Sequence, residues 1–361
     1  MQRADTSKET ARKVIIWQTI AAVLFFIFVV VSYATPLIAE EDAKTDYLET
    51  VRLLQEHGFA GVDQALDRFE EIVKRHPDFQ PARLAAANGY LLKYEFSETK
   101  NSTWLDLAEQ HLNRVIDDGA GSAEAFFKRS LVHLNKNQGE PAERDLRQAL
   151  ALQPSFPEAH IVYLQFLLAR GSLDEARQNA ATWLSRSTDQ AETARSFGEL
   201  FAAANDHQTA VTLYEQSLTA KSDAPHVRAA LGNSFRHLGR YEQAADALAT
   251  AIEQLPEQMQ LRFALGVCLS ELERLQEAVE QFELYRKHYP QDVAAINNLA
   301  VLYEKTGQTG RAKLMWMKVK ESASDSNHRQ RAETNLLRLL QTAHQDLPQA
   351  DKTTTKEDSP P

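Results

Sequence analysis

The sequence predicts an all-α solenoid of about eight tandem helix hairpins, with a transmembrane helix before it and a capping helix after it. Three observations predict this. Alanine recurs at Ala142, Ala176, Ala210, Ala244, Ala278 and Ala312, each 34 residues after the last, and a fixed period of that length marks one supersecondary unit copied in tandem. Apolar residues within a unit fall at helical spacing, as in Leu231, Phe235 and Leu238, then Ala244, Ala247, Leu248 and Ala251. Finally, no charged residue occurs between Lys13 and Glu40.

Residues 1–13 read as a short cytoplasmic N-terminus and 14–34 as the span. The run Val14–Val31 is long enough at helical rise to cross a bilayer core of about 30 Å. Trp17 and Tyr33 flank it where interfacial aromatic residues sit. Arg3, Lys8, Arg12 and Lys13 precede it, and Glu40, Glu41 and Asp42 follow. Basic flanks stay in the cytoplasm, which puts everything after the span across the membrane; in a bacterium that is the periplasm. The expectation is a single-pass inner-membrane protein with its N-terminus inside. A cleaved signal is the alternative, since Ser32-Tyr33-Ala34 is a small-x-small site, although the apolar run exceeds the usual length of a signal core.

After a linker, 35–45, the repeats occupy 46–326, as 46–79, 82–122, 123–156, 157–190, 191–224, 225–258, 259–292 and 293–326. Twelve residues before each periodic alanine sit Ser130, Leu164, Gly198, Gly232, Gly266 and Ala300, mostly small. Four residues after it sit Leu146, Ala180, Tyr214, Leu248, Phe282 and Trp316, mostly large. Small residues let two helices approach, and a bulky one a turn later fills the space between units. Turn glycines fall at Gly171, Gly239 and Gly307, and Pro154, Pro256 and Pro290 close units. The unit 157–190 departs most, with Leu164 at a small position and Trp183 where alanine is usual. In 82–122 the connection between helices is longer, Tyr94 to Thr103, with a capping-box-like restart at Thr103–Asp106. In 46–79, Ala65, Phe69, Ile72 and Pro77 keep the spacing, while the first helix around Asp46–Glu56 fits less well. Residues 327–344 read as an amphipathic capping helix. Its stripe is Ala332, Leu336, Leu337 and Leu340, and Arg331, Thr334, Asn335 and Arg338 form a polar outer face, as array ends need for solubility. The Pro-, Thr- and charge-rich tail, 345–361, has the composition of disorder.

These residues resemble the tetratricopeptide repeat family. The stretch Leu231-Gly232 … Phe235 … Gly239 … Tyr241 … Ala244 … Leu248 … Ala251 … Pro256 is similar to the family pattern, and six units hold one register from Ala123 to Ser326. The resemblance implies a right-handed superhelix whose first helices line a groove for protein or peptide partners. Carried over, the groove residues are Phe127, Leu131, Leu134, Ile161, Leu168, Arg195, Glu199, Asn233, Arg236, Phe263, Val267, Asn297 and Val301. Phe127, Leu131, Leu134, Ile161 and Leu168 make an apolar wall in the first two of these units. Either that wall binds a partner or the Tyr94–Thr103 connection covers it.

The formal charge of -10 argues against a nucleic-acid partner. One cysteine, Cys268, excludes an intrachain disulfide and a multi-cysteine zinc site, and its apolar neighbours suit a buried core residue. His226 and His237 are too far apart along one helix for one metal. Asp117-Asp118 before Gly119 lacks the alternating ligands of a calcium loop and reads as a turn. No nucleophile elbow, metalloprotease helix or phosphate loop occurs. Anchor, repeats, cap and tail use the whole chain and leave no room for a catalytic domain. The expectation is a non-enzymatic scaffold, without cofactor or metal, that serves envelope-complex assembly. Pilus or secretion machinery, polysaccharide export and cytochrome maturation are the settings that such a layout implies. A soluble periplasmic carrier or a regulatory subunit of a membrane enzyme is the alternative.

Overall fold

The computed structural model describes residues 41–345; the expected span at 14–34 and the tail from 346 lie outside the described residues. All regular structure described is helical. In chain order it comprises α1 (Glu41–His57), a 3-10 turn (Gly58–Gly61), α2 (Val62–Arg75), α3 (Gln80–Phe96), α4 (Ser102–Val115), a π turn (Ile116–Ala120), α5 (Ala123–Asn135), α6 (Gly139–Leu152), α7 (Pro157–Arg170) and α8 (Leu173–Leu184). Then follow α9 (Gln190–Ala203), α10 (His207–Ala220), α11 (Pro225–His237), α12 (Tyr241–Gln254), α13 (Met259–Glu271), α14 (Leu275–His288), α15 (Val293–Lys305), α16 (Thr309–Ser322) and α17 (Ser326–Gln345). No described helix is long and apolar enough to cross a membrane.

The six periodic alanines are all fully buried, at 0% exposure. Each sits where a second helix meets its first helix. The small-against-large pairing is visible at Gly198, where an added Cβ would lie 2.6 Å from the Tyr214 ring, and at Gly232, 2.8 Å from Leu248 Cγ. A methyl group there would displace the bulky partner, so the close approach of α9 to α10 and of α11 to α12 requires glycine.

The turn between the two helices repeats as well. Asn137, Gly171, Asn205, Gly239, Glu273 and Gly307 all have φ between 56° and 80° and are 34 residues apart. The sequence singles out only the glycines; asparagine tolerates the left-handed region, and Glu273 occupies it at some steric cost. The Glu273 carboxylate reaches Lys305 Nζ on the next first helix at 2.9 Å.

The chain divides into two compact units, one reaching Leu167 and the other starting at Leu168, within α7. The boundary falls in the repeat whose sequence departs most from the pattern. In the first unit, α1 to α3 share a core of Ala43, Val51, Val62, Phe69 and Ala82, closed by Tyr47 against Phe69 and Phe79. The first helix, which fits the sequence pattern poorly, thus packs like the others, and it begins at Glu41 inside the expected linker. The Tyr94–Thr103 connection is shorter than its sequence suggests because α3 continues to Phe96. The restart is capped by Asn101, whose side chain accepts from the Thr103 backbone N–H at 3.0 Å, not by Thr103.

In the second unit the hairpins α9–α10, α11–α12, α13–α14 and α15–α16 stack in order, and α17 packs on α16. Here the expected stripe is corrected. Ala332 and Leu339 are buried, whereas Leu337 and Leu340 are 61% and 51% exposed. Two ion pairs set this rotation: Arg338 Nη2 with Glu304 of α15, and Lys320 Nζ of α16 with Glu333 at 3.1 Å.

Candidate functional site

The thirteen groove residues fall on both units and are taken unit by unit. In the first, Leu131, Leu134 and Ile161 are partly exposed, as a groove lining requires, but Phe127 is buried at 6%. The Phe127 ring packs on Phe156 with centroids 4.9 Å apart. An aromatic side chain from the loop before α7 therefore closes over it, which removes Phe127 from the surface that a partner can reach.

In the second unit the groove helices are α9, α11, α13 and α15, and α11 touches both α9 and α13. Leu168, Arg195, Asn233, Arg236, Phe263, Val267, Asn297 and Val301 are all partly exposed, and Glu199 is exposed. Arg195 is spent locally. Its guanidinium holds Glu192, and its Nη1 donates to Glu199 Oε1 at 2.5 Å. Those bonds, led by Glu192, push the Arg195 pKa up and the Glu192 carboxyl down.

Arg236 differs. No carboxylate pairs with it among the described residues; its Nη2 meets His237 Nε2 at 3.2 Å, and its Nε is buried without a partner. His237 stacks on His207 with centroids 4.3 Å apart and planes 3° apart. Burial first, and Arg236 second, hold both imidazoles below the ordinary value of 6.5. Stability from keeping them neutral is fully present above that value and declines as pH falls through it toward the folded pKa. Near neutral pH, Arg236 is then the cation of this cluster. Two first helices on, the Asn297 Oδ1 is also buried without a partner. Between them α13 presents Phe263 and Val267. Cys268 beside them is buried, and burial pushes its thiol up to about 11, which leaves it unreactive.

The end of this groove holds a cavity of about 540 Å³. It is lined by Val301, Glu304 and Trp316 and, from α17, by Arg331, Thr334, Asn335 and Arg338. These four are the residues that the sequence assigns to a solvated outer face. The ion pair of Arg338 with Glu304 turns them inward instead, so the cap contributes polar groups to the groove.

Sequence reasoning also missed a buried polar network in the first unit. Arg129 donates twice to Asp145, through Nε and Nη2 at 2.8 Å each, and through Nη1 to Asn113 Oδ1 at 2.9 Å. His133 Nε2 lies 3.5 Å from the same carboxylate. The Asp145 bonds, first among the causes, raise the Arg129 pKa. The network ties α4, α5 and α6 together, and no Ser, Thr or Cys nucleophile joins it. Among the described residues no three His, Cys, Asp or Glu side chains gather as a metal site.

A family model described as tetratricopeptide repeat matches residues 127–192 and 229–293. No curated protein matches the chain. Among solved structures, the C-terminal part of a TPR repeat-containing protein from Cytophaga hutchinsonii is 14% identical, with 67% of this chain and 97% of that chain covered at a TM-score of 0.54. YrrB, a TPR protein with an unusual peptide-binding site, is 21% identical over 52% of this chain and 97% of that one, with a TM-score of 0.44. PilF of Pseudomonas aeruginosa is 16% identical over 59% and 97%, with a TM-score of 0.43. At these identities the likeness concerns the fold. Repeats of this kind mediate protein–protein interaction and are in general not enzymes. The period, the buried alanines and the matched model agree: the chain belongs to the tetratricopeptide repeat family.

Proposed function

We propose that the chain is a non-enzymatic scaffold, anchored in the inner membrane through residues 14–34, whose groove holds a protein partner on the periplasmic side during assembly of an envelope complex. The groove reading rests on Arg236 and Asn297. Each carries a buried polar atom without a partner inside the chain, and Phe263 and Val267 lie between them on α13. Leaving such groups unpaired costs stability that a ligand can return. A guanidinium and an amide oxygen flanking apolar side chains suit an extended acidic segment, with its carboxylate on Arg236 and its backbone N–H on Asn297.

Peptides selected from a random library on the chain lacking residues 1–40 should therefore carry Asp, Glu or a free C-terminus. Arg236→Ala should weaken them by about 10-fold or more, as hot-spot arginines do, with the melting temperature nearly unchanged. Selection of basic or purely apolar peptides, or affinities insensitive to both Arg236→Ala and Asn297→Ala, would place binding elsewhere.

The anchor reading rests on the uncharged run and its basic-before, acidic-after flanks. A reporter active only in the periplasm, fused after His344, should be active in a bacterial host, and a cytoplasmic reporter at that point silent. The reverse pattern would put the groove in the cytoplasm. Ser32-Tyr33-Ala34 supports a second reading, a soluble carrier released by cleavage. Mature protein starting at Thr35 rather than Met1 or Gln2 would establish it.

A further inference from the structure

The rotation of α17 that turns its polar residues into the groove also leaves leucines outside. Leu337 and Leu340 are 61% and 51% exposed, and on the neighbouring α16 Leu314 and Met317 are 52% and 50% exposed. The four share one flank. The Lys320–Glu333 pair fixes the register of the α16–α17 hairpin. Running antiparallel from it, Lys313 comes level with Leu340 and Met317 with Leu336–Leu337. Lys313 and Lys320 thus stand along the seam between the two apolar rows.

Charge is distributed in the same way. Between residues 309 and 345 there are seven Lys and Arg against three Asp and Glu, although the whole chain has 40 against 50. A cationic hairpin at the end of an acidic chain, with exposed aliphatic side chains among its lysines, has the make-up of an interfacial lipid-binding surface. Lysine stems lie along apolar surface while their ammonium groups reach anionic headgroups, and each base near such a surface adds to binding. A protein partner would be expected to meet a pocket for its anchors, but the cavity at this end opens on the groove flank, among Val301, Glu304 and Arg331. The outer flank is a ridge.

We infer that the outer flank of α16–α17 docks on an anionic phospholipid bilayer, with Leu314, Met317, Leu337 and Leu340 entering the headgroup region and Lys313 and Lys320 contacting the phosphates. This contact does not depend on residues 14–34 or on the groove.

The full chain, held in a phosphatidylcholine nanodisc so that its own apolar run is occupied, would be mixed with separate vesicles. A fluorophore on Gln341→Cys reports the flank, since Cys268 is buried. Flotation with phosphatidylglycerol vesicles and a blue shift of the fluorophore are expected, with neither on phosphatidylcholine vesicles. Lys313→Gln with Lys320→Gln should weaken binding about 25-fold, two bases' worth of surface attraction. Leu337→Ser with Leu340→Ser should abolish the blue shift at an unchanged melting temperature, because both side chains are already exposed. Equal binding to both vesicle types, or binding that survives both double variants, would overturn the assignment. A blue shift that grows with protein concentration without vesicles would also overturn it, and would assign the flank to a second copy of the chain.

Discussion

Asp145→Ala should destabilise the first unit by about 3–5 kcal/mol, the cost of breaking a buried ion pair by removing one partner. Asp145 is 5% exposed and accepts both arms of Arg129, whose third bond holds Asn113 of α4. Without the carboxylate, a guanidinium whose side chain is 20% exposed is left among α4, α5 and α6 with one neutral acceptor. Replacing both partners, as Arg129→Met with Asp145→Leu, should recover much of the loss, because the desolvation penalty goes with the charges. Denaturant unfolding followed by circular dichroism measures both. A loss below about 1 kcal/mol for Asp145→Ala, the range of exposed pairs, would show that water screens the site.

Trp316→Ala should cost the second unit about 3–5 kcal/mol, as expected for a large aromatic side chain removed from a core. Trp316 is 1% exposed, and its indole N–H donates to Glu304, the carboxylate that also holds Arg338 of the cap. Removing the ring opens a void beside Val301 and frees Glu304 from one of its two donors, so α17 should loosen with it. Hydrogen exchange by mass spectrometry should show faster exchange in α15, α16 and α17 and no change in α1 to α6, since repeats couple to nearest neighbours. Unchanged exchange in α17 would mean that the cap is held without Trp316.

The fold was legible because its main contact recurs. A small residue facing a bulky one, with alanine between, leaves the same trace every 34 residues, and Ala142 to Ala312 all lie at 0% exposure. What was not legible occurs once. The Arg129–Asp145–Asn113 network has no counterpart in other units, so no period reveals it. Phe127 keeps the spacing of a groove residue, but Phe156, from a loop that carries no pattern, covers it. The cap was ambiguous for a different reason. Leu336, Leu337, Leu339 and Leu340 allow two helical phases, and the apolar pattern cannot choose between them. Arg338 with Glu304 and Lys320 with Glu333 break the tie, through partners on other helices. Of the groove, the positions were readable. Which side chains are spent, like Arg195, and which remain available, like Arg236, depends on neighbours one turn away.

At the joint inside each hairpin, what recurs is the handedness of the backbone rather than a residue. Asn137, Gly171, Asn205, Gly239, Glu273 and Gly307 differ in chemistry and share positive φ. A segment cut between two such joints begins and ends in the same local geometry, so one whole period can be gained or lost without redirecting the chain at the seam. A change of any other length moves a residue built for a helix into the left-handed position, and a joint residue into a helix. Lys100 takes the positive φ off the period, in the repeat whose connection is longer than the rest. Growth and shrinkage of such an array over evolutionary time are thereby quantised, and the quantum is written in the backbone.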